Sequence, residues 1–310
     1  MARIAWYSNS CSIKSGYGQQ SAQVVHQMVA NGHEVAIAAN YGAAVEMTCS
    51  AGHVILPEGL LRYSIDSAPV HMKNWIGDQP GYGVVLFDLW TLVDALPFHE
   101  LKLACWTPID HDPIPPGVVK FLKDGRHHAI PMSQFGTQKL LEAGIPEEQL
   151  TYIPHGIDLT IFKDYGKEAR PQMQIPDEAY LVITVAANRG KLPARKGFAE
   201  MADAMSTFMK DRLDVYWMIY TEPNGYSDGI NIPRLLQAVD MDMSRIRYPH
   251  PMNIVRGISQ EGMARIMSAS DCHLLTSMGE GWGIPVAEAA ACGTPSVVSN
   301  FYAKPELLTA

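Results

Sequence analysis

The chain has 310 residues, 47% hydrophobic and 18% charged, with 24 Lys+Arg against 32 Asp+Glu and a formal net charge of −8. This composition carries enough apolar material for folded cores and excludes a disordered chain. It offers no basic cluster for nucleic acid or anionic lipid, and no apolar run approaches the ~18 residues of a membrane span. The length predicts two domains.

ARIAWYS (residues 2–8) reads as a first strand, not a signal peptide. A glycine turn, SGYGQ, leads into SAQVVHQMVANG, a helix with Ala22, Val25 and Val29 on one stripe and Gly32 as its stop. EVAIAAN (34–40), VVLFD (84–88), KLACWTP (102–108), HAIPMS (128–133) and LTYIPHG (150–156) continue the strands, with GVVKFLKD and SQFGTQKLLEAG as helices between the later ones. The βαβα rhythm implies a parallel sheet covered by helices.

Residues 158–179 are polar and lack a clear period, which puts a domain boundary near residue 165: 1–165 and 166–310. The rhythm then restarts. YLVITVAAN (180–188), DVYWMIYT (214–221), IRYP (246–249), CHLLTS (272–277) and SVVSN (296–300) are strands, the last suited to a sheet edge. GFAEMADAMSTFMKD, IPRLLQAVDM, SQEGMARIMSAS and PVAEAAACG are helices, and the methionines of the first are core packing. Two consecutive doubly wound domains predict a ligand cleft beyond the strand carboxyl ends.

Cys11, Cys49, Cys105, Cys272 and Cys292 are odd in number and form no C-x-x-C, which argues against a disulfide scaffold or structural zinc. Free cysteines predict a reducing, cytoplasmic setting.

The chemistry-bearing stretches follow strands. In GEGWGIPVAEAAACGTP, Gly279 to Gly283 permit close backbone approach, Pro285 suits a first helical turn and Gly293 ends the helix. Glu280 then lies on a strand-to-helix loop and Glu288 about one turn inside the helix. Free N–H groups there attract phosphate, and a carboxylate can accept two hydrogen bonds from a sugar diol. The plain alternative is a dipole-complementing Glu288 and a solvated Glu280. Gly16 and Gly18 mark either a tight turn or a backbone approach to donor phosphate or acceptor. A dinucleotide fold fits less well, because Asn40 stands where the second strand would end in an acid. WTPIDHDPIPP holds Asp110, His111 and Asp112, adjacent residues that rarely converge on one metal ion. His155 of IPHGID fits a structural role better than a catalytic one.

GEGWGIPVAEAAACGTP resembles the E-x7-E signature of retaining GT-B glycosyltransferases of the family 4 type. IPHGIDLTIFK, AANRGKLPARKGF, DCHLLTSMGEGWG and SGYGQQSAQVVHQMVANGHEVAI resemble further segments of these enzymes in the same order. The resemblance implies two Rossmann-like parallel-sheet domains facing a cleft, acceptor side first and nucleotide-sugar side second. The C-terminal end is shorter than usual, and a partner copy could cover its sheet edge. It implies a hexosyltransferase-type reaction from a nucleotide-diphosphate sugar to a hydroxyl acceptor, retaining and without a required metal or other cofactor. Glu288 would hold the ribose and Glu280 the donor sugar. Backbone N–H groups around Gly281, Trp282, Gly283 and Ile284 would approach sugar and diphosphate. Lys196 and Arg189, with Arg195 in reserve, would neutralise the leaving group. Asp110 would face sugar and acceptor, and His250–Asn253 the base. Two alternatives stay open: a nucleotide-sugar-binding or assembly protein that is not catalytic alone, and an epimerase that needs no acceptor.

Overall fold

The computed structural model describes residues 1–190, 192–225 and 228–308. The chain divides into two α/β units, Met1–Gly156 and Ile157–Ala310.

In the first unit the strands are β1 (Arg3–Asn9), β2 (Glu34–Tyr41), β3 (Met47–Thr48), β4 (Val54–Leu56), β5 (Gly81–Leu86), β6 (Leu103–Thr107) and β7 (His128–Pro131). They form one sheet in the order β3-β4-β2-β1-β5-β6-β7, parallel except where β3 runs antiparallel to β4. The helices are α1 (Gly16–Ala30), α2 (Ala68–Ile76), α3 (Leu96–His99), α4 (Pro116–Lys123) and α5 (Gln134–Glu142). β1 and β2 read as unbroken apolar runs because both their faces are covered. Tyr7, Val85, Phe98, Leu103 and Phe121 share the core of this unit.

The expected strand at 150–156 is not one. Thr151 and Ile153 donate to the Ala129 and Pro131 carbonyls at 3.0 and 3.2 Å, but only an isolated bridge at Leu150 forms. Pro154 brings no N–H to extend the ladder. Instead, Gln20 of α1 ties this segment down: its Nε2 donates to the Gly156 carbonyl at 2.9 Å. The β3–β4 hairpin, α2 and α3 carry no period long enough to read from sequence.

The second unit holds β8 (Tyr180–Val185), β9 (Val215–Tyr220), β10 (Ile246–Arg247), β11 (Cys272–Leu275) and β12 (Ser296–Val298). All are parallel, in the order β10-β9-β8-β11-β12. The helices are α6 (Phe198–Met209), α7 (Ile232–Ala238), α8 (Pro251–Arg256), α9 (Gln260–Ser268) and α10 (Ile284–Ala291). α6 buries Phe198, Met201, Ala202, Met205 and Met209 at helical spacing, and they pack on Trp217 and Ile219. Each of the phenylalanine and methionine side chains contributes about 1.5–3 kcal/mol of burial. Trp217 Nε1 donates to Thr184 Oγ1 at 3.0 Å, and Thr184 donates on to the Leu274 carbonyl at 3.0 Å, so the central strands share buried polar links.

The division at residue 156 falls before the position near 165 that composition pointed to. The polar segment 158–179 belongs to the second unit because it carries apolar anchors and one buried cation. Phe162, Ile175 and Ala179 join the core with Leu181, Ile183 and Met267. Arg170 is fully buried. It donates to the carbonyls of Ala269, Pro176, Asp177 and Ala179 and pairs with Asp271 at 2.7 Å. Asp271 also accepts from the Leu181 N–H at 2.7 Å, at the start of β8. Satisfied this fully, a buried arginine is a strong local fastener. Among the described residues no helix is long and apolar enough to cross a membrane.

Candidate functional site

In the second unit, two loops cross at the ends of β8 and β11. Asn188 anchors the first. It is buried, its Nδ2 donates to the Glu222 and Ile230 carbonyls at 2.9 and 2.7 Å, and its Oδ1 accepts from the Ile230 N–H at 3.0 Å. Gly197, at φ +68°, begins α6. A Cβ there would lie 2.6 Å from the Thr276 carbonyl oxygen, so glycine is what lets the two loops touch. Met278 N–H donates to the Arg195 carbonyl at 2.7 Å, and the Arg195 guanidinium donates to the Gly279 carbonyl.

This crossing puts Lys196 on Glu280. The ammonium donates to Glu280 Oε1, both side chains nearly buried at 13% and 12% exposure. Arg195 lies 3.8 Å from the other carboxylate oxygen. Burial pushes the Glu280 pKa up, but Lys196, with smaller help from Ser277 and Arg195, outweighs it and holds the carboxylate below its ordinary value. Arg189 stands elsewhere: it is 60% exposed and pairs with Asp228 at 3.0 Å. So of the two arginines weighed from sequence, it is the reserve, Arg195, that reaches Glu280. Lys191 of the same segment lies outside the described residues.

A third cation was not legible in the sequence. Lys304 is fully buried, donates to the Ser277 carbonyl, and has its Nζ 4.5 Å from the Phe301 ring centroid. Burial pulls its pKa down to about 8, with Glu280 raising it and Lys196 and Arg195 lowering it. Its residue type and its place in AKPELL gave no signal; only the fold brings it under this loop.

Past the crossing, Trp282 is buried and Gly283 takes φ +109° ahead of α10. No side chain caps this helix start. Glu288 lies inside α10, 6% exposed. Unlike Glu280, it has no ion pair or side-chain hydrogen bond among the described residues, and burial pushes its pKa up to about 7. Gly293, at φ +78°, ends the helix. His250 caps α8, its Nδ1 accepting from the Met252 N–H at 3.2 Å.

In the first unit, the Gly16–Gly18 turn is closed by its own atoms. Ser15 Oγ accepts from the Gly18 N–H at 3.1 Å and from Asn9 Nδ2 at 2.8 Å. A Cβ on Gly18 would meet the Ile13 carbonyl oxygen at 2.2 Å. That packing accounts for the glycine without a ligand. Asp110, with 14% side-chain exposure, accepts from His111 Nδ1 at 2.6 Å, while Asp112 turns to Lys139 at 2.8 Å. Asp110 and His111 line a recess with Leu89, Trp90, Thr107 and Ile114. His155 is buried against Trp106, its ring 4.8 Å away and its Nδ1 3.1 Å from Gln20 Oε1. Burial holds its pKa near 4, which suits a neutral structural ring.

Residues 249–310, which include the Glu280–Glu288 loop and helix, match the family described as glycosyl transferases group 1. The chain is 26% identical over 171 residues to an MMP α-(1→4)-mannosyltransferase of Mycolicibacterium hassiacum. That match takes in 54% of this chain and 36% of the relative, so the chain spans about a third of the curated relative it matches. Among solved structures, sucrose-phosphate synthase from Thermosynechococcus elongatus superposes with a TM-score of 0.74 at 17% identity, covering 97% of this chain and 82% of that one. WaaG, a glycosyltransferase involved in lipopolysaccharide biosynthesis, gives 0.72 at 13%, covering 99% and 83%. HepE from Anabaena, solved with UDP and glucose, gives 0.66 at 14%, covering 99% and 83%. The two parallel-sheet α/β units are thus those of the GT-B glycosyltransferase fold, and the second ends in a segment similar to the glycosyl transferases group 1 family.

Proposed function

We propose that the chain moves a hexose from a nucleoside-diphosphate sugar to a hydroxyl acceptor with retention at the anomeric carbon. One observation carries the reading. A single loop crossing holds three cations around one paired carboxylate, with a second, buried carboxylate in the adjoining helix that is unpaired among the described residues. Three positive charges against one negative favour an anion such as a diphosphate, and the unpaired Glu288 can accept two hydroxyl hydrogen bonds from a ribose. The mannosyltransferase relative and the UDP–glucose complexes of HepE support this class of donor.

In this reading Lys196 and Arg195 face the departing diphosphate, where fixed donors act most strongly because charge develops there. Arg189, earlier on the same segment, is the alternative. The uncapped start of α10, from Gly281 through Trp282, Gly283 and Ile284, supplies backbone N–H groups to sugar and phosphate. Glu280, oriented by Lys196, contacts the sugar. The bond from the anomeric carbon to the phosphate oxygen breaks, and the acceptor oxygen bonds to the same face. The acceptor proton passes to the phosphate oxygen that leaves, so no strong protein base is needed. Asp110 and its recess in the first unit are assigned to the acceptor, and the first unit as a whole to the acceptor side. Lys196, Arg195 and Lys304 do the charge neutralisation a metal would otherwise do.

The test incubates the protein with UDP-, GDP- and ADP-hexoses and hydroxyl acceptors, following nucleotide release and the product's anomeric configuration by NMR. Acceptor-dependent release with a retained linkage is expected. An inverted product sinks retention. Binding with no release under any acceptor would make the chain a nucleotide-sugar-binding protein, and donor turnover without acceptor would make it an epimerase.

A further inference from the structure

Sequence spacing gave no reason to group the cysteines, yet the fold of the first unit gathers two of them around a histidine. Cys11 lies just after β1, Cys49 just after β3, and His53 just before β4. The two sulfurs and one imidazole nitrogen all lie within 4.8 Å of one another, and Cys11 Sγ is 3.4 Å from His53 Nε2. We propose that Cys11, Cys49 and His53 bind a thiophilic divalent cation of the zinc class, independently of the sugar-transfer site.

The local backbone is set for it. The Cys49 N–H donates to the His53 carbonyl at 2.9 Å, and the Gly52 N–H to the Cys49 carbonyl at 2.8 Å. Gly52 takes φ +93°, so the chain reverses tightly and sets Cys49 and His53 side by side. The His26 ring, 5.3 Å from the His53 ring between centroids, packs on its flank.

The ligand chemistry is selective. Two thiolates and an imidazole favour zinc-class ions over magnesium or calcium, which prefer oxygen donors. Zinc binds sulfur at about 2.3 Å and imidazole at about 2.0–2.1 Å, which puts its ligand atoms about 3.3–3.8 Å apart. Cys11 Sγ and His53 Nε2, 3.4 Å apart, already lie in that range, and the remaining separations are within 4.8 Å. Two thiolates would neutralise a dication, leaving a fourth tetrahedral position for water.

His53 supplies a second observation. It is fully buried, its Nδ1 lacks a hydrogen-bond partner among the described residues, and the thiol of Cys11 is the polar contact of its Nε2. The ring is thus held sparsely, and a metal on Nε2 would replace that weak thiol contact with a coordinate bond. His155 in the same unit shows the contrast, since a glutamine side chain holds its Nδ1.

The experiment uses the full chain, reduced with a phosphine and stripped of metal, then titrated with Zn2+ and with Co2+. About one tightly bound ion per chain is expected, with a raised melting temperature and, for Co2+, a thiolate-to-metal charge-transfer band. Cys11→Ser and Cys49→Ser lie at partly exposed loop positions, so each should fold by circular dichroism. Each should weaken binding at least ~100-fold and reduce the band. Cys272→Ser in the second unit should leave both unchanged. His53→Gln is informative only if it folds, so the two cysteine variants carry the test. No charge-transfer band, or binding that survives Cys11→Ser, overturns the proposal. So does a reversible Cys11–Cys49 disulfide in a reduced protein that takes up no metal, because the cluster is then a redox pair.

Discussion

At the β1–α1 junction the helix start is capped by Ser15, and Gly18 is wedged against the Ile13 carbonyl. At the β11–α10 junction the helix start has no side-chain cap, Gly283 sits at φ +109°, and it is flanked by the nearly buried Glu280 and the buried Glu288. Both are strand–glycine turn–helix passages in parallel-sheet units, and for both the sequence offered ligand contact beside a plain structural reading. The difference lies in which polar groups the protein itself satisfies. The first junction closes on its own atoms. In the second, Glu280 is matched by Lys196 and Arg195, while Glu288 has no ion pair or side-chain hydrogen bond among the described residues. Glycine spacing therefore does not separate a tight turn from a binding loop; unsatisfied polar groups next to the glycines do.

The comparison is best broken at its strongest point. Lys196→Ala should lower turnover at saturating donor about 100- to 1,000-fold, as removal of one donor aimed at developing charge does elsewhere. Initial-rate kinetics with wild-type-like donor binding would show it; unchanged turnover would remove Lys196 from the leaving group.

Glu288→Gln tests whether the second carboxylate is truly unmatched. In the unfolded chain this group titrates near 4.5, and burial raises it to about 7 in the fold. Its stabilising contribution is therefore fully present below about pH 4.5, declines as pH rises, and is lost above about pH 7. That amounts to about 3 kcal/mol. Urea unfolding should find the variant more stable than wild type at pH 8 and close to it at pH 4.5. A variant no more stable at pH 8 would mean that the carboxylate has a partner. Glu288→Ala should also weaken donor binding about tenfold or more, read by calorimetry.

At the first junction the expected losses are in folding. Gly18→Ala should cost about 1–3 kcal/mol, because the added carbon meets backbone rather than a movable side chain. Ser15→Ala should cost about 1 kcal/mol, the usual loss of an N-cap. If Gly18→Ala instead leaves stability intact and abolishes donor binding, the two junctions are alike after all.

The smallest expected effect is at Arg189. Its ion pair with Asp228 is exposed, so Arg189→Ala should change stability by less than about 0.5 kcal/mol. Arg195→Ala should lower turnover more than Arg189→Ala does, and the reverse order would return the leaving-group role to Arg189.

Much of the fold was legible because parallel strands covered on both faces read as unbroken apolar runs; RIAWYSN and EVAIAANY announce themselves. The β3–β4 hairpin did not, because strands of two and three residues carry no period. The glutamate loop was legible because its parts are neighbours in sequence. Lys304 was not, because the carbonyl it reaches lies 27 residues away, and neither was the Cys11–Cys49–His53 cluster, because Cys11 joins His53 only across 42 residues of chain. The choice between Arg189 and Arg195 turned on loop geometry, which the Gly197–Thr276 contact fixes and residue types do not.

Arg170 has a bearing on how the chain can be divided. Its guanidinium stitches residues 176–179 to Ala269 and Asp271, so the stretch before β8 is a clasp of the second unit, not a tether between units. A graft that exchanges the second unit should have its seam at Gly156, where the contact boundary falls. A seam near 165 would sever Phe162 from the core it fills, and one at 180 would also discard Arg170 and leave Asp271 without its guanidinium. A second unit begun at Ile157 should fold cooperatively, while one begun at Tyr180 should be recovered aggregated.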